Sequence, residues 1–197
     1  MSNILLLIAA YLTGSISSAI IISRLKGLED PRKVGSGNPG ATNVLRSGDK
    51  TAAVLTLLGD ILKGFIPVLV AKLLGVGPIW VAGAGLAAFL GHLYPVYYGF
   101  KGGKGVATAA GVILGLNPLS VLIMILIWVA IAWRTGYSSL AALIAAVASP
   151  LFIAQITHIN AYTALAAIIA LFLVWRHKAN IKRLLDGTES KISFGKK

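Results

Sequence analysis

Apolar residues fall into seven runs along the chain, at 4–22, 51–74, 78–100, 105–116, 118–133, 138–156 and 160–175. A helix needs about 20 such residues to cross a bilayer, and five runs are near that length. The runs 105–116 and 118–133 are shorter. Asn117-Pro118 divides them, since proline disfavours helix in the residue before it. The pattern predicts an all-α, polytopic membrane helix bundle of about seven transmembrane helices, with short fourth and fifth spans, in a single domain over 1–197. No polar stretch is long enough for a separate soluble domain. Any chemistry therefore belongs to the loops and the helices they join.

Charge decides which side the loops face. Cytoplasmic loops carry an excess of Lys and Arg. With a reversal at 117–118, Arg24, Lys26, Arg32, Lys33, Arg46 and Lys50 share a face with Lys101, Lys104 and Arg134. The same face takes Arg176, Lys178, Lys182, Arg183, Lys191, Lys196 and Lys197, which makes 16 of the 18 basic residues. A single crossing over 105–133 would send the last eight to the other side. A re-entrant hairpin over that stretch gives the same sidedness as two short spans. The N-terminus is then outside and the C-terminus cytoplasmic. Met1-Ser2-Asn3 has no positive flank, which argues against a cleaved signal peptide.

Composition narrows the class further. The chain is 57% hydrophobic and 12% charged, with 18 Lys and Arg against 6 Asp and Glu, a net charge of +12. Soluble domains carry about a quarter charged residues, so disorder is excluded, the balance argues strongly against an ordinary soluble enzyme, and a nucleic-acid interface is disfavoured. Cys is absent, which removes disulfides, thiolate metal sites and Cys nucleophiles. The six acids are scattered and the three His lie far apart, so no metal site and no cofactor are expected. Lys72 lies near the outer end of its run and can snorkel. Lys63 lies mid-run, three residues after Asp60, on one helix face with it. Such a pair is expensive in a membrane unless matched, and is read as a structural ion pair.

The donor-rich segments all belong to the basic face. The first, from Val34 to Arg46, carries Gly35, Gly37 and Gly40, which let backbone amides turn toward one centre as an anion nest. Ser36, Asn38, Thr42 and Asn43 add neutral donors, and Arg46 offers a planar fork for phosphate. The second surrounds Lys104 with Gly102, Gly103 and Gly105, and Thr108 follows. Free amides, an ammonium and a helix N-terminus would make a second anion site there. It is not a Walker A loop, because Gly105 follows Lys104 and no strand precedes it. The third runs from Trp175 to Lys191. Helical spacing puts Arg176, Asn180 and Arg183 on one face beside His177, and Gly187 ends the helix. His92 reads as a packing or hydrogen-bonding residue. Two anion sites suggest two phosphate-bearing groups, or one large polyanion, in a cleft open to the cytoplasm and sideways to lipid.

The stretches Gly35-Ser36-Gly37-Asn38-Pro39-Gly40-Ala41-Thr42-Asn43, Gly102-Gly103-Lys104-Gly105-Val106-Ala107-Thr108 and His177-Lys178-Ala179-Asn180-Ile181-Lys182-Arg183-Leu184 resemble the three cytoplasmic motifs of the bacterial acyl-phosphate:glycerol-3-phosphate acyltransferase family. Asp60-Ile61-Leu62-Lys63-Gly64 and Gly91-His92 with Tyr94-Pro95 are similar to that family too. The resemblance covers nearly the whole chain. It implies an inner-membrane enzyme that moves a fatty acyl group from long-chain acyl phosphate to the sn-1 hydroxyl of glycerol 3-phosphate. The products are lysophosphatidic acid and phosphate. An enzyme making acyl phosphate is the implied supplier of the donor, and membrane lipid the surroundings. Carried over, Ser36, Arg46, Lys104, His177 and Asn180 are the expected active-site positions, with the glycines and remaining donors above as substrate contacts. The His-x4-Asp signature of acyl-CoA-dependent enzymes is missing, since Tyr97, Thr163 and Lys182 stand where its Asp would be.

Acyl phosphate is a mixed anhydride, so catalysis is mostly proximity and electrostatics. The hydroxyl proton passes to a substrate phosphate oxygen or to His177 acting as base, the first being favoured because few acids lie near these loops. A Ser36 acyl-enzyme is a third, weaker route. A small transporter for an organic phosphate is the rival from another class, and a basic membrane scaffold a second.

Overall fold

Asp49 and Asn117 each begin a long helix by folding a side chain back onto it. The Ala52 N–H donates to Asp49 Oδ1 at 2.8 Å and the Ser120 N–H to Asn117 Oδ1 at 2.9 Å, which satisfies amides the helix leaves over. The computed structural model describes residues 2–192; Met1 and 193–197, with Lys196 and Lys197 of the expected basic face, lie outside the described residues. Those described form ten α-helices, one 3-10 turn at Val96–Tyr98 and no strand. They divide into two compact units, one up to Leu116 and one from Asn117.

The first unit holds α1 (Ser2–Gly14), α2 (Ser18–Leu25), α3 (Ala41–Leu45), α4 (Lys50–Leu73), α5 (Pro78–Leu93) and α6 (Val106–Leu116). α4 is its spine, packed along α6 and α5 and touched by α1, α2 and α3. Glycines let α4 and α6 meet backbone to backbone: a Cβ on Gly111 would overlap Ile61, and one on Gly64 would overlap Thr108. The second unit holds α7 (Pro118–Thr135), α8 (Ser138–Thr157), α9 (Asn160–Arg176) and α10 (Lys178–Leu185). α8 lies between α7 and α9, and α10 folds against both α8 and α9. Leu119, Leu122, Ile125, Leu126, Val129 and Trp133 leave α7 exposed and apolar along its length. In water that surface would be a liability; hydrocarbon accepts it.

Four helices, α4, α5 with its 3-10 extension, α7 and α8, are long and apolar enough to cross a membrane, and up to six if each of two bent pairs is one span. The expected seventh is α6, whose 11 residues rise about 16 Å, roughly half the hydrocarbon thickness. The break at 117–118 lies where proline predicts it, although α7, at 18 residues, is longer than its apolar run suggests. Two breaks are new. The first run bends by 41° between α1 and α2. There Ser15 Oγ donates back to the Tyr11 carbonyl at 2.9 Å, and Lys63 Nζ takes the Ile16 carbonyl at 2.7 Å. The last run bends by 59° between α9 and α10. Arg176 ends α9 while Asn180 and Arg183 lie on α10, so the expected single helical face through all three is divided at His177.

Both intramembrane lysines are matched. Lys63 Nζ lies 2.7 Å from Asp60 Oδ1, with both side chains buried; removing either partner would strand a buried charge. Lys72 turns its ammonium to the end of α6, donating to the Gly115 and Leu116 carbonyls at 3.0 and 2.9 Å. A cation there satisfies leftover acceptors and the negative end of the helix dipole.

Candidate active site

The first loop is built around Asn43. The Ser36 N–H donates to Asn43 Oδ1 at 2.9 Å. Asn43 Nδ2 donates to the Pro31 and Val34 carbonyls at 2.7 and 3.0 Å. Gly35, at φ 58, must lack a side chain, because a Cβ would overlap Asn43 Oδ1. Val44 anchors the loop from below, packed with Ala19, Ala52 and Ala53. Asn43 is itself buried, and both its amide hydrogens are used within the loop. Asn43, expected as a donor to substrate, shapes the loop by these bonds. The exposed chemistry is left to Ser36, Thr42 and Arg46, with Asn38 half-buried. Arg32 is tied in a fork to Asp30 at 2.7 Å, and the guanidinium hydrogen bonds hold the Asp30 carboxyl below its ordinary range.

The second loop folds back on the end of α5. The Gly102 N–H donates to the Leu93 carbonyl at 3.2 Å and the Gly103 N–H to the His92 carbonyl at 3.3 Å. Lys104 is half-buried between the buried Gly103 and Gly105, directly before α6. The first α6 bond runs from the Ala109 N–H to the Gly105 carbonyl at 2.8 Å. Earlier amides of the turn have no partner within the helix, so the ammonium stands beside a helix N-terminus. Thr108 is wholly buried, against α4 rather than at the loop surface. The two loops touch, since a Cβ on Gly103 would stand 3.3 Å from the Pro39 carbonyl.

Several loop amides bond within the fold. The amides of Ser36, Gly37 and Gly40 bond to Asn43, Val34 and Asn38, and those of Gly102 and Gly103 to α5. Gly35 and Gly103 shape the loops through close contacts with Asn43 and His92.

The third segment, in the second unit, is organised by an acid. Glu189 Oε1 accepts from Ser139 Oγ at 2.7 Å and from Asn180 Nδ2 at 2.6 Å, and Oε2 accepts from Arg183 Nε at 2.7 Å. Burial raises its carboxyl pKa, but these three hydrogen bonds and the Arg183 charge outweigh that, leaving it below the ordinary glutamate value. The strand of chain after Gly187 is held as well, by the Ile192 N–H to the Gly136 carbonyl at 2.8 Å. His177 is buried, and its Nδ1 lies 2.7 Å from the Leu173 carbonyl. A carbonyl can only accept, so Nδ1 carries the hydrogen in this bond. Glu189 and Ser139 were not expected at the site. The signal for Glu189 was a lone acid beyond Gly187 in a basic stretch; Ser139 gave none. Among the described residues no group of His, Asp and Glu is placed to hold a metal ion.

The model of the family described as glycerol-3-phosphate acyltransferase matches residues 4–187. A protein of Thioalkalivibrio sulfidiphilus called glycerol-3-phosphate acyltransferase is 56% identical over 187 residues, 95% of this chain and 92% of its own. One of Methylobacillus flagellatus with the same name is 54% identical over the full length of both. Among solved structures, PlsY (YgiH), an integral membrane glycerol 3-phosphate acyltransferase, superposes in its glycerol 3-phosphate form with a TM-score of 0.93 and 44% identity, covering 98% of this chain and 96% of that one. Its lysophosphatidic acid form gives 0.92 and 42%, with the same coverage. Glycine loops, Lys104 and the His177–Arg183 segment all lie inside the matched stretch, and the chain belongs to the glycerol-3-phosphate acyltransferase family.

Proposed function

We propose that this protein acylates glycerol 3-phosphate, taking the acyl group from a long-chain acyl phosphate and placing it on the sn-1 hydroxyl. The hydroxyl oxygen attacks the acyl carbon, the bond from that carbon to the phosphate oxygen breaks, and lysophosphatidic acid and phosphate leave. The protein works in the bacterial inner membrane with its N-terminus outside, its C-terminus in the cytoplasm and its donor-rich loops on the cytoplasmic side. An enzyme that makes acyl phosphate supplies the donor.

The observation that carries this reading is Lys104, half-buried between two buried glycines at the start of α6. It is a cation fixed beside a helix N-terminus, suited to a phosphate. Arg46 adds a guanidinium fork, and Ser36 adds a hydroxyl. Asn180 and His177 are the remaining residues assigned to this chemistry. Stabilising the negative charge that develops on the acyl carbonyl oxygen is the larger part of the work. The hydroxyl proton goes to a substrate phosphate oxygen. Two buried carboxylates are poorly suited to take it: Asp60 is paired with Lys63, and Glu189 already accepts three hydrogen bonds and is held more acidic than usual. No metal or organic cofactor takes part.

Purified protein in lipid should release phosphate from palmitoyl phosphate only when glycerol 3-phosphate is present, and the product should carry its acyl chain at sn-1. Equal use of palmitoyl-CoA would remove the donor assignment. A rate–pH profile that is the same for wild type and His177→Asn would fit a substrate base; loss of one limb in the variant would assign the proton to His177.

A further inference from the structure

His92 is buried at the end of α5, and the proposed chemistry does not use it. Its Nδ1 lies 3.7 Å from Asp60 Oδ1, too far for a hydrogen bond but close enough for the carboxylate to orient the ring. Asp60 is itself fixed, 2.7 Å from Lys63 Nζ, and Lys63 holds the Ile16 carbonyl at the bend between α1 and α2. The opposite edge of the ring faces the second glycine loop. A Cβ on Gly103 would overlap His92 Nε2 and stand 2.8 Å from Cε1. The His92 backbone carbonyl receives the Gly103 N–H. Gly103 immediately precedes Lys104 and also rests on Pro39 of the first loop.

We propose that His92 is a positioning residue for the acyltransferase reaction: its imidazole, oriented by Asp60, fills the side-chain space of Gly103 and so sets where Lys104 and the first glycine loop stand. The chain of contact runs from a buried ion pair, through one ring, to the backbone beside the proposed phosphate cation. Each link is rigid. Asp60 and Lys63 are buried on a long helix, the ring sits in a packed interior, and Gly103 has no side chain to yield. A small shift of the ring is therefore passed to Lys104 rather than absorbed, and in a site that works by electrostatic placement a misplaced cation loses much of its effect. This rests on the reading of Lys104 given above.

The test is a double-mutant cycle with the intact protein in lipid, reading kcat and KM for glycerol 3-phosphate together with thermal unfolding. Gly103→Ala should lower kcat/KM about thirtyfold or more, because its methyl meets the ring, while the same change in a His92→Ala background should lower it less than about threefold. His92→Gln, which keeps length and a polar end, should be impaired about tenfold in kcat/KM with an unfolding temperature near that of wild type. Equal penalties for Gly103→Ala in both backgrounds would overturn the proposal. So would wild-type kinetics in His92→Gln. Lys104→Ala, run in parallel, separates the two claims. If it is nearly inactive while the His92 variants behave as wild type, only the positioning role fails; if it retains normal turnover, the reading of the site fails. If His92→Ala does not fold, the Gly103→Ala cycle is run against His92→Gln, where a persistent, equal penalty has the same negative meaning.

Discussion

The glycine loops of the first unit and the acid-centred segment of the second organise their candidate residues in opposite ways. In the loops, scaffold and chemistry are separate groups. Asn43, His92 and the glycines hold the backbone, while Ser36, Arg46 and Lys104 project from it. In the third segment the two coincide: Asn180 and Arg183 are candidate site residues and also two of the three side chains that bind Glu189. Replacing a site residue of the first kind should change activity more than stability. Replacing one of the second kind should cost both, because its partner is a buried charge that would be left short of donors.

Lys104→Ala is the sharpest probe of that contrast. Activity should fall about a hundredfold or more, while thermal unfolding in detergent stays close to wild type. A large loss of stability would show that Lys104 is part of the scaffold and would erase the distinction.

Glu189→Gln should weaken both properties, with about 2 kcal/mol of stability lost and a smaller loss of turnover than Lys104→Ala. The charge sets a pH dependence. The Glu189 carboxyl is depressed in the folded protein, so its stabilisation is complete above the unfolded value of 4.5 and fades as pH falls through the lower folded value. The gap in unfolding temperature between wild type and Glu189→Gln should therefore hold from about pH 8 to about pH 5 and close in stronger acid. A gap that closed toward alkaline pH would contradict the ion pair with Arg183.

The smallest effect is expected at Asn43→Asp. It keeps the acceptor for the Ser36 N–H but turns a carboxylate oxygen toward the Pro31 and Val34 carbonyls. Activity should fall about tenfold with about 1 kcal/mol of stability. Full activity would mean that the first loop does not need its internal frame.

The helices and the donor-bearing residues were legible in the sequence because both signals are local. Apolar runs mark α4, α5, α7 and α8, Pro118 marks the break before α7, and Asp60 with Lys63 announces itself by spacing. The bends at 15–17 and 177 were hidden, since apolar character continues through the first and helical spacing through the second. The cluster Thr13, Gly14, Ser15, Ser17 and Ser18 was the available hint, because such side chains compete for backbone carbonyls. The scaffold roles of Asn43, His92 and Glu189 were not legible. Each depends on which backbone groups or side chains arrive from elsewhere: Asn43 reaches back to Pro31, His92 is met by Gly103, and Glu189 gathers Ser139 from another helix. A polar side chain in a loop looks the same in sequence whether it will face a ligand or its own backbone.

The half-length helix α6 has a consequence for how far a lipid must travel. It runs in the same direction as α4, with Thr108 beside Gly64, Gly115 beside Val68 and Leu116 held by Lys72. Thr108 in its first turn thus stands about 20 Å along α4 from Lys50, and Lys104 comes four residues before it. For a catalyst of the kind proposed, the water-borne partner would descend to meet the fat, instead of the fat being hoisted into water. The acyl tail could stay in hydrocarbon throughout, and the work of extracting a long chain from the bilayer, about 0.8 kcal/mol for each methylene, would never arise.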